Sequence, residues 1–138
     1  RLLDVGTGSG ILAIAMAKTW RVPVVGVDVD PIAIDIARDF ARVNEVSGYI
    51  HFIVGNALGH NDIHRRAPYD LITANILARP LKSMAVSIRQ ALMPGGKVVL
   101  AGLLNRQENI VLSAYRTQGI RLKRRIRLNE WSTLVLEG

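Results

Sequence analysis

A short apolar run ends in Asp4, and three glycines follow at every second position, Gly6, Gly8 and Gly10, before a second apolar run begins at Ile11. Without Cβ atoms a glycine loop can take unusual backbone angles and lie directly against a ligand. A helix starting behind it aims free N–H groups at the same spot. That is the chemistry of a nucleotide cradle. The dinucleotide fingerprint needs its third glycine three residues after the second, at the position held by Ile11, so a pyrophosphate, and with it a nicotinamide oxidoreductase, is disfavoured.

Other polar residues could complete such a cradle. Asp28 lies 18 residues beyond Gly10, a spacing that suits a carboxylate accepting from both ribose hydroxyls. Asn56 offers an amide to an adenine edge, or closes a turn. Asn75 offers an oxygen that can accept an amine N–H, or it touches a cofactor. His60, Asp62 and His64 have a loose metal-like spacing without the His-Glu-x-x-His pattern, and the expectation is a solvated loop with no metal. No serine, histidine and acid arrangement supports nucleophilic catalysis.

The elements that would position these residues follow from periodicity and punctuation. Leu2 to Asp4 reads as a strand, the apolar stretch Ile11 to Lys18 as a helix, and the β-branched run Val22 to Val27 as a buried parallel strand. Asp30-Pro31 caps and opens a helix whose Ile32, Ile36, Phe40 and Val43 share one face, expected to be the packed one. Ile50 to Val54 alternates as a third strand. Ala57 to Pro68 reads as a surface loop, and Leu71 to Ala74 as a fourth strand leading into Asn75. A single helix is expected from Pro80 to Leu92, stopped by Met93-Pro94-Gly95-Gly96, and a fifth strand from Val98 to Ala101. Asn105 and Glu108 read as a capping box for a helix closing at Gly119. Ile120 to Leu128 and Trp131 to Leu136, joined by Asn129-Glu130, read as an antiparallel hairpin.

Five strand and helix alternations before a hairpin imply an α/β fold: a Rossmann-like, seven-stranded, mostly parallel sheet with helices on both faces and a C-terminal antiparallel hairpin. Ligands bind beyond the carboxyl ends of strands in such sheets. Asp4 with its glycines, Asp28, Asn56 and Asn75 each follow a different one of the first four strands.

The 138 residues, 49% of them hydrophobic, suffice for one domain with one substantial core. Arg1 rather than Met abuts the first strand, and the expectation is a catalytic domain, residues 1–138, cut from a longer protein. The absence of cysteine excludes disulfides and thiolate metal sites. No apolar stretch is long enough to span a bilayer and no leader precedes the first strand, so a cytoplasmic setting is expected. A net charge of +7 fits an acidic partner such as RNA or plain solubility. Arg121, Lys123, Arg124, Arg125 and Arg127 fall within one expected strand, either guarding an edge or lying near ribosomal RNA.

The acid two residues before Gly6, with the glycines at 6, 8 and 10, resembles the first motif of the class I S-adenosylmethionine-dependent methyltransferases. A closer likeness rests on Tyr69-Asp70-Leu71-Ile72-Thr73-Ala74-Asn75-Ile76-Leu77-Ala78 with Pro80-Leu81. Gly26-Val27-Asp28-Val29-Asp30-Pro31, Leu92-Met93-Pro94-Gly95-Gly96 and Glu130-Trp131 add to it. Together these resemble the bacterial (PrmA-like) methyltransferases that modify the eleventh protein of the large ribosomal subunit. The resemblance implies methylation of lysine and N-terminal amines of a large-subunit ribosomal protein from S-adenosyl-L-methionine. It implies cofactor contacts at Gly6, Asp28 and Asn75, and the full expected set is Asp4, Gly6, Gly8, Gly10, Asp28, Asn56 and Asn75. Arg79 and Asn56 depart from the family's commoner glycine and aspartate. The family's recognition domain and upstream threonine segment are absent from this sequence. A methyltransferase for a small molecule or RNA, or a cofactor-binding module without turnover, are the alternatives. Asn-Ile-Leu-Ala at 75–78 differs from the Asn-Pro-Pro-Tyr of enzymes that act on planar amides and bases.

Overall fold

All four residues of the first strand, β1 (Leu2–Val5), are buried, as a strand must be when helices cover both faces of a parallel sheet. The computed structural model describes residues 1–138. After β1 come α1 (Ile11–Trp20), β2 (Val24–Asp28), α2 (Pro31–Val43), β3 (Ile50–Val54), α3 (Asn61–Arg66), β4 (Tyr69–Asn75), α4 (Ala78–Ser83) and α5 (Ala85–Ala91). The chain ends with β5 (Leu92–Leu104), α6 (Glu108–Arg116), β6 (Arg121–Leu128) and β7 (Trp131–Glu137).

One seven-stranded sheet has the order β3-β2-β1-β4-β5-β7-β6. The first five strands are parallel, and β7 pairs antiparallel with both β5 and β6. The expected fold class is therefore the observed one. The order reverses at β1, which leads to β2 on one side and pairs with β4 on the other. Right-handed crossovers then send helices to opposite faces, and a crevice opens at the carboxyl ends of β1 and β4. Leu2, Val24, Phe52 and the inner residues of α1 and α2 form one core. Leu3, Ile72, Leu100 and the inner residues of α4 to α6 form the larger one.

Local signals explain most boundaries. The Asp30 side chain accepts from the Ile32 N–H at 2.9 Å, with Pro31 at the first helical position. The face of α2 is opposite to the expected one. Ile34, Ala37 and Ala41 are buried, whereas Ile32, Ile36, Phe40 and Val43 are exposed. Close approach decides this: a Cβ at Gly10 would lie 3.0 Å from the Ala37 Cβ, so only small residues fit where α2 meets the glycine loop.

Four other expectations change. The segment Ala57 to Pro68 is not all loop, because α3 buries Ile63 and is capped by His60, whose Nδ1 accepts from the Asp62 N–H at 3.2 Å. The helix expected from Pro80 is two short helices that meet at Met84. Strand β5 begins earlier, at Leu92: Leu92 pairs with Tyr69 and Lys97 with Leu71, and the proline and glycines between them bulge. Asn105 and Glu108 form no capping box. Gln107 Oε1 instead accepts from the Leu104 N–H at 2.8 Å, and Glu108 turns into the molecule.

The two faces of α2 should respond oppositely to truncation. Ile34→Ala should cost about 2–5 kcal/mol in denaturant unfolding, while Val43→Ala, at an 80% exposed position, should change stability by no more than about 0.5 kcal/mol.

Candidate active site

The glycine loop is tied down on two sides. Beneath it, Asp4 is buried, and both its oxygens are taken: Thr7 Oγ1 donates at 2.6 Å and Thr73 Oγ1 at 2.7 Å. Burial pushes the Asp4 pKa up, and the two threonine bonds pull part of the way back. Asp4 thereby clips the loop to β4 and does not reach the ligand space. From the side, Gly8 N–H donates to Asp28 Oδ2 at 2.8 Å, and Thr7 N–H donates to the Val27 carbonyl at 2.9 Å. Asp28 Oδ1 accepts from Asp30 N–H at 3.0 Å. A carboxylate has about four lone-pair sites, so acceptor capacity remains on Asp28 for a ligand.

Gly6, Asp28 and Asn56 line one cleft of about 400 Å³ at the carboxyl rim, with apolar walls from Val5, Val27, Val29, Ile76, Leu77 and Met84. Gly6 has φ +67°, and a Cβ there would lie 2.5 Å from Ile76 Cγ2, so only glycine leaves the cleft open. Asn75 lines a second cleft of about 560 Å³ with Gly102, Trp131, Ser132 and Thr133. The two share Ile76 and Leu77 as a common wall. Gly8 stands at the rim in open space. Gly10, with φ +83°, supports the start of α1 and packs against Ala37 and Phe52. Of the seven expected residues, four line these clefts, and Asp4, Gly8 and Gly10 shape the loop behind them. A further cavity of about 450 Å³ lies at the opposite rim, where burial lowers the pKa of His51, among Arg65, Arg66 and Tyr69.

Sequence reasoning missed the shared wall, and the only signal for it was a pair of apolar residues directly after a strand end. It also missed what holds the second cleft. Glu108, 1% exposed, accepts from Arg127 Nε at 2.7 Å and Nη2 at 2.9 Å and from Ser132 Oγ, and forms an ion pair with Arg125 Nε at 2.7 Å. The Ser132 hydroxyl has one hydrogen and a second acceptor, Asn105 Oδ1 at 2.6 Å. Asn105 in turn donates to the Asn129 carbonyl at 2.9 Å. The hairpin carrying Trp131 is thus bolted to the start of α6. Lys123 pairs with Glu137 at 3.0 Å, so carboxylates hold three of the five cations of β6.

The family described as ribosomal protein L11 methyltransferase (PrmA) matches residues 1–138. The chain belongs to that family. A ribosomal protein L11 methyltransferase of Caulobacter sp. (strain K31) is 45% identical over 137 residues, covering 99% of this chain and 47% of the relative. The chain therefore spans about half the length of the curated relatives it matches. The crystal structure of ribosomal protein L11 methylase from Lactobacillus delbrueckii subsp. bulgaricus superposes with a TM-score of 0.90 at 29% identity, covering 98% of this chain and 68% of that one. An RNA methyltransferase from Salinibacter ruber, solved with S-adenosyl-L-homocysteine, shares the fold at TM-score 0.78 and 22% identity, covering 99% of this chain and 78% of that one. The fold alone therefore leaves the acceptor open. No helix of the PrmA-family chain is long and apolar enough to cross a membrane.

The Arg127 hydrogen bond, with that of Ser132 and the charges of Arg125 and Arg127, holds the Glu108 pKa below its ordinary 4.5. A lowered folded pKa stabilises the fold above the unfolded value, and the contribution fades as pH falls through the folded value. Wild type should therefore melt higher than Glu108→Gln at neutral pH, and the gap should shrink below pH 4.5 in thermal scans.

Proposed function

We propose that this PrmA-family domain binds S-adenosyl-L-methionine in the cleft lined by Gly6, Asp28 and Asn56. On this reading it delivers the methyl group to lysine and N-terminal amines of ribosomal protein L11, entering by the Asn75 cleft. The carrying observation is that two clefts of different character share one wall, Ile76 and Leu77. Family membership favours the amine of a ribosomal protein over other acceptors. A ribosomal acceptor also places the reaction in the cytoplasm.

The residues present fit the cofactor. Gly6 leaves room that any Cβ would fill, Asp28 keeps free lone pairs for ribose hydroxyls, and Val29 and Leu77 offer apolar surface to a planar base beside the Asn56 amide. When bound, S-adenosyl-L-methionine supplies a sulfonium methyl group open to in-line displacement. The chain's own task is to align the acceptor and exclude water. The acceptor amine must arrive neutral, and a free lysine has a pKa of about 10.4; desolvation between Leu77 and Trp131 lowers it. Asn75 Oδ1 accepts one amine N–H and turns the lone pair toward the shared wall.

Ribosomal RNA lying close to β6 is a finer part of the proposal. Arg121 and Arg124 supply the charge for it, since Lys123, Arg125 and Arg127 are paired. Binding to ribosomal RNA fragments should weaken as salt rises, and Arg121→Ala with Arg124→Ala should flatten that dependence. A salt-independent affinity, or none, removes this part.

Titration calorimetry on the full-length protein tests the cofactor site. Asp28→Ala should lose at least about tenfold in affinity for S-adenosyl-L-methionine, the equivalent of one hydrogen bond to a charged group. Undiminished binding would overturn the assignment. Asn75→Ala should slow methyl transfer to L11 by about 10²-fold or more with cofactor affinity little changed, and normal turnover would dismiss its orienting role.

A further inference from the structure

We propose that Gly102 is a positioning residue for the amine-accepting oxygens, a role that rests on the transfer reaction proposed above. Gly102 lies in β5 where the pairing with β7 shifts register between Leu100 and Leu103. Its neighbour Ala101 pairs with Asn75 at the end of β4. The backbone of Gly102 has φ +80°, and a Cβ on it would stand 2.7 Å from the Ile76 carbonyl oxygen and 2.9 Å from Asn75 Oδ1. The first of these is main chain and cannot swing aside.

Both oxygens are free to accept. Ile76 precedes Leu77, the extended N-cap residue of α4, so its carbonyl lies outside the helix. No backbone N–H bonds to it. The Asn75 carboxamide likewise has no partner within the chain. Two unpaired oxygens therefore face the same flank of Gly102, inside the cleft assigned to the acceptor.

The opposite flank is equally tight. A Cβ at Gly6, beyond the end of β1, would meet Ile76 Cγ2 at 2.5 Å. Strands β1 and β5 are the two neighbours of β4. Asn75-Ile76 is thus held between two glycines, one just after β1 and one in β5. Gly6 guards the cofactor side, and Gly102 sets how far the two oxygens withdraw from it. A side chain at 102 would push the Ile76 carbonyl and the Asn75 amide toward Gly6, out of line with an incoming amine.

The test separates crowding from backbone strain, because Gly119 has a similar φ of +77° with open space where its Cβ would stand. In the full-length protein with L11 as acceptor, Gly102→Ala should lower kcat by about 10²-fold, the cost of misplacing a reacting group by roughly 1 Å. Cofactor affinity should change far less, and Gly119→Ala should keep turnover. In an Asn75→Ala background, Gly102→Ala should cost less than it does alone, since one of the two oxygens it displaces is already gone. Wild-type turnover in Gly102→Ala, an equal loss in Gly119→Ala, or full additivity with Asn75→Ala would each overturn the proposal. Normal turnover in Asn75→Ala would instead sink the underlying transfer reading. Should Gly102→Ala fail to fold, a crystal structure of the wild-type protein with L11 and S-adenosyl-L-homocysteine decides. The acceptor nitrogen should lie within hydrogen-bond distance of Ile76 O and Asn75 Oδ1, over the Gly102 Cα, and a nitrogen seated elsewhere overturns the role.

Discussion

Two carboxylates hold one loop. Asp4, from beneath, is bridged by Thr7 and Thr73, and Asp28, from the side, receives the Gly8 N–H. A glycine-rich segment loses more backbone freedom on ordering than any other, and without these bonds nothing in its own sequence would fix it. With them, its main chain becomes a rigid shelf at the point where the strand order reverses. The second strand contributes a tie for that shelf through Asp28, and on the proposed reading the same carboxylate also holds the ribose.

The same economy of space governs the neighbouring cleft. Where β4 ends, a glycine stands on each side, Gly6 just beyond β1 and Gly102 in β5; the Ile76 side chain fills the room beside the first, and the Ile76 carbonyl with the Asn75 amide fills that beside the second. The Ile76 carbonyl, one residue before the N-cap of α4, lies outside the helical ladder. Further out, the buried Glu108, gripped by Arg125, Arg127 and Ser132, fixes the hairpin that brings Trp131 to the cleft. Two of the five cations of β6, which together look like a nucleic-acid surface, are thereby an internal fastening. Breaking a pair around a buried charge is costly, so the cations are needed for the fold whatever else they touch.

The alternation of strands and helices, the Asp30-Pro31 start of α2 and the tight Asn129-Glu130 connection are local features, and each was legible because its cause lies within a few residues. The outward face of α2 was not. Ile32, Ile36, Phe40 and Val43 have the right period for a packed face, and periodicity cannot tell which of two faces a close neighbour will accept; the approach of Gly10 to Ala37 chose the alanine side. The helix over Asn61–Arg66 was hidden because its cap is a histidine and its apolar anchor the single residue Ile63. That Gly6, Asp28, Asn56 and Asn75 line clefts was legible because each follows the carboxyl end of a strand, and those ends share one edge of the sheet. Asp4 was placed among them although its side chain points into the sheet, an orientation that a motif does not encode.

The sequence by itself determined the alternation of strands and helices and the glycine loop after β1, since glycine spacing, caps and strand-end polar residues act through short-range geometry. Only the tertiary structure decided which of those residues touch open space and which hold others in place. It also decided that Ile76 and Leu77 divide two clefts, and that a glycine 27 residues beyond Asn75 shapes its surroundings. Those are contacts between strands far apart in the chain, and distances of a few tenths of an ångström between packed atoms are set by the whole sheet rather than by any stretch of it.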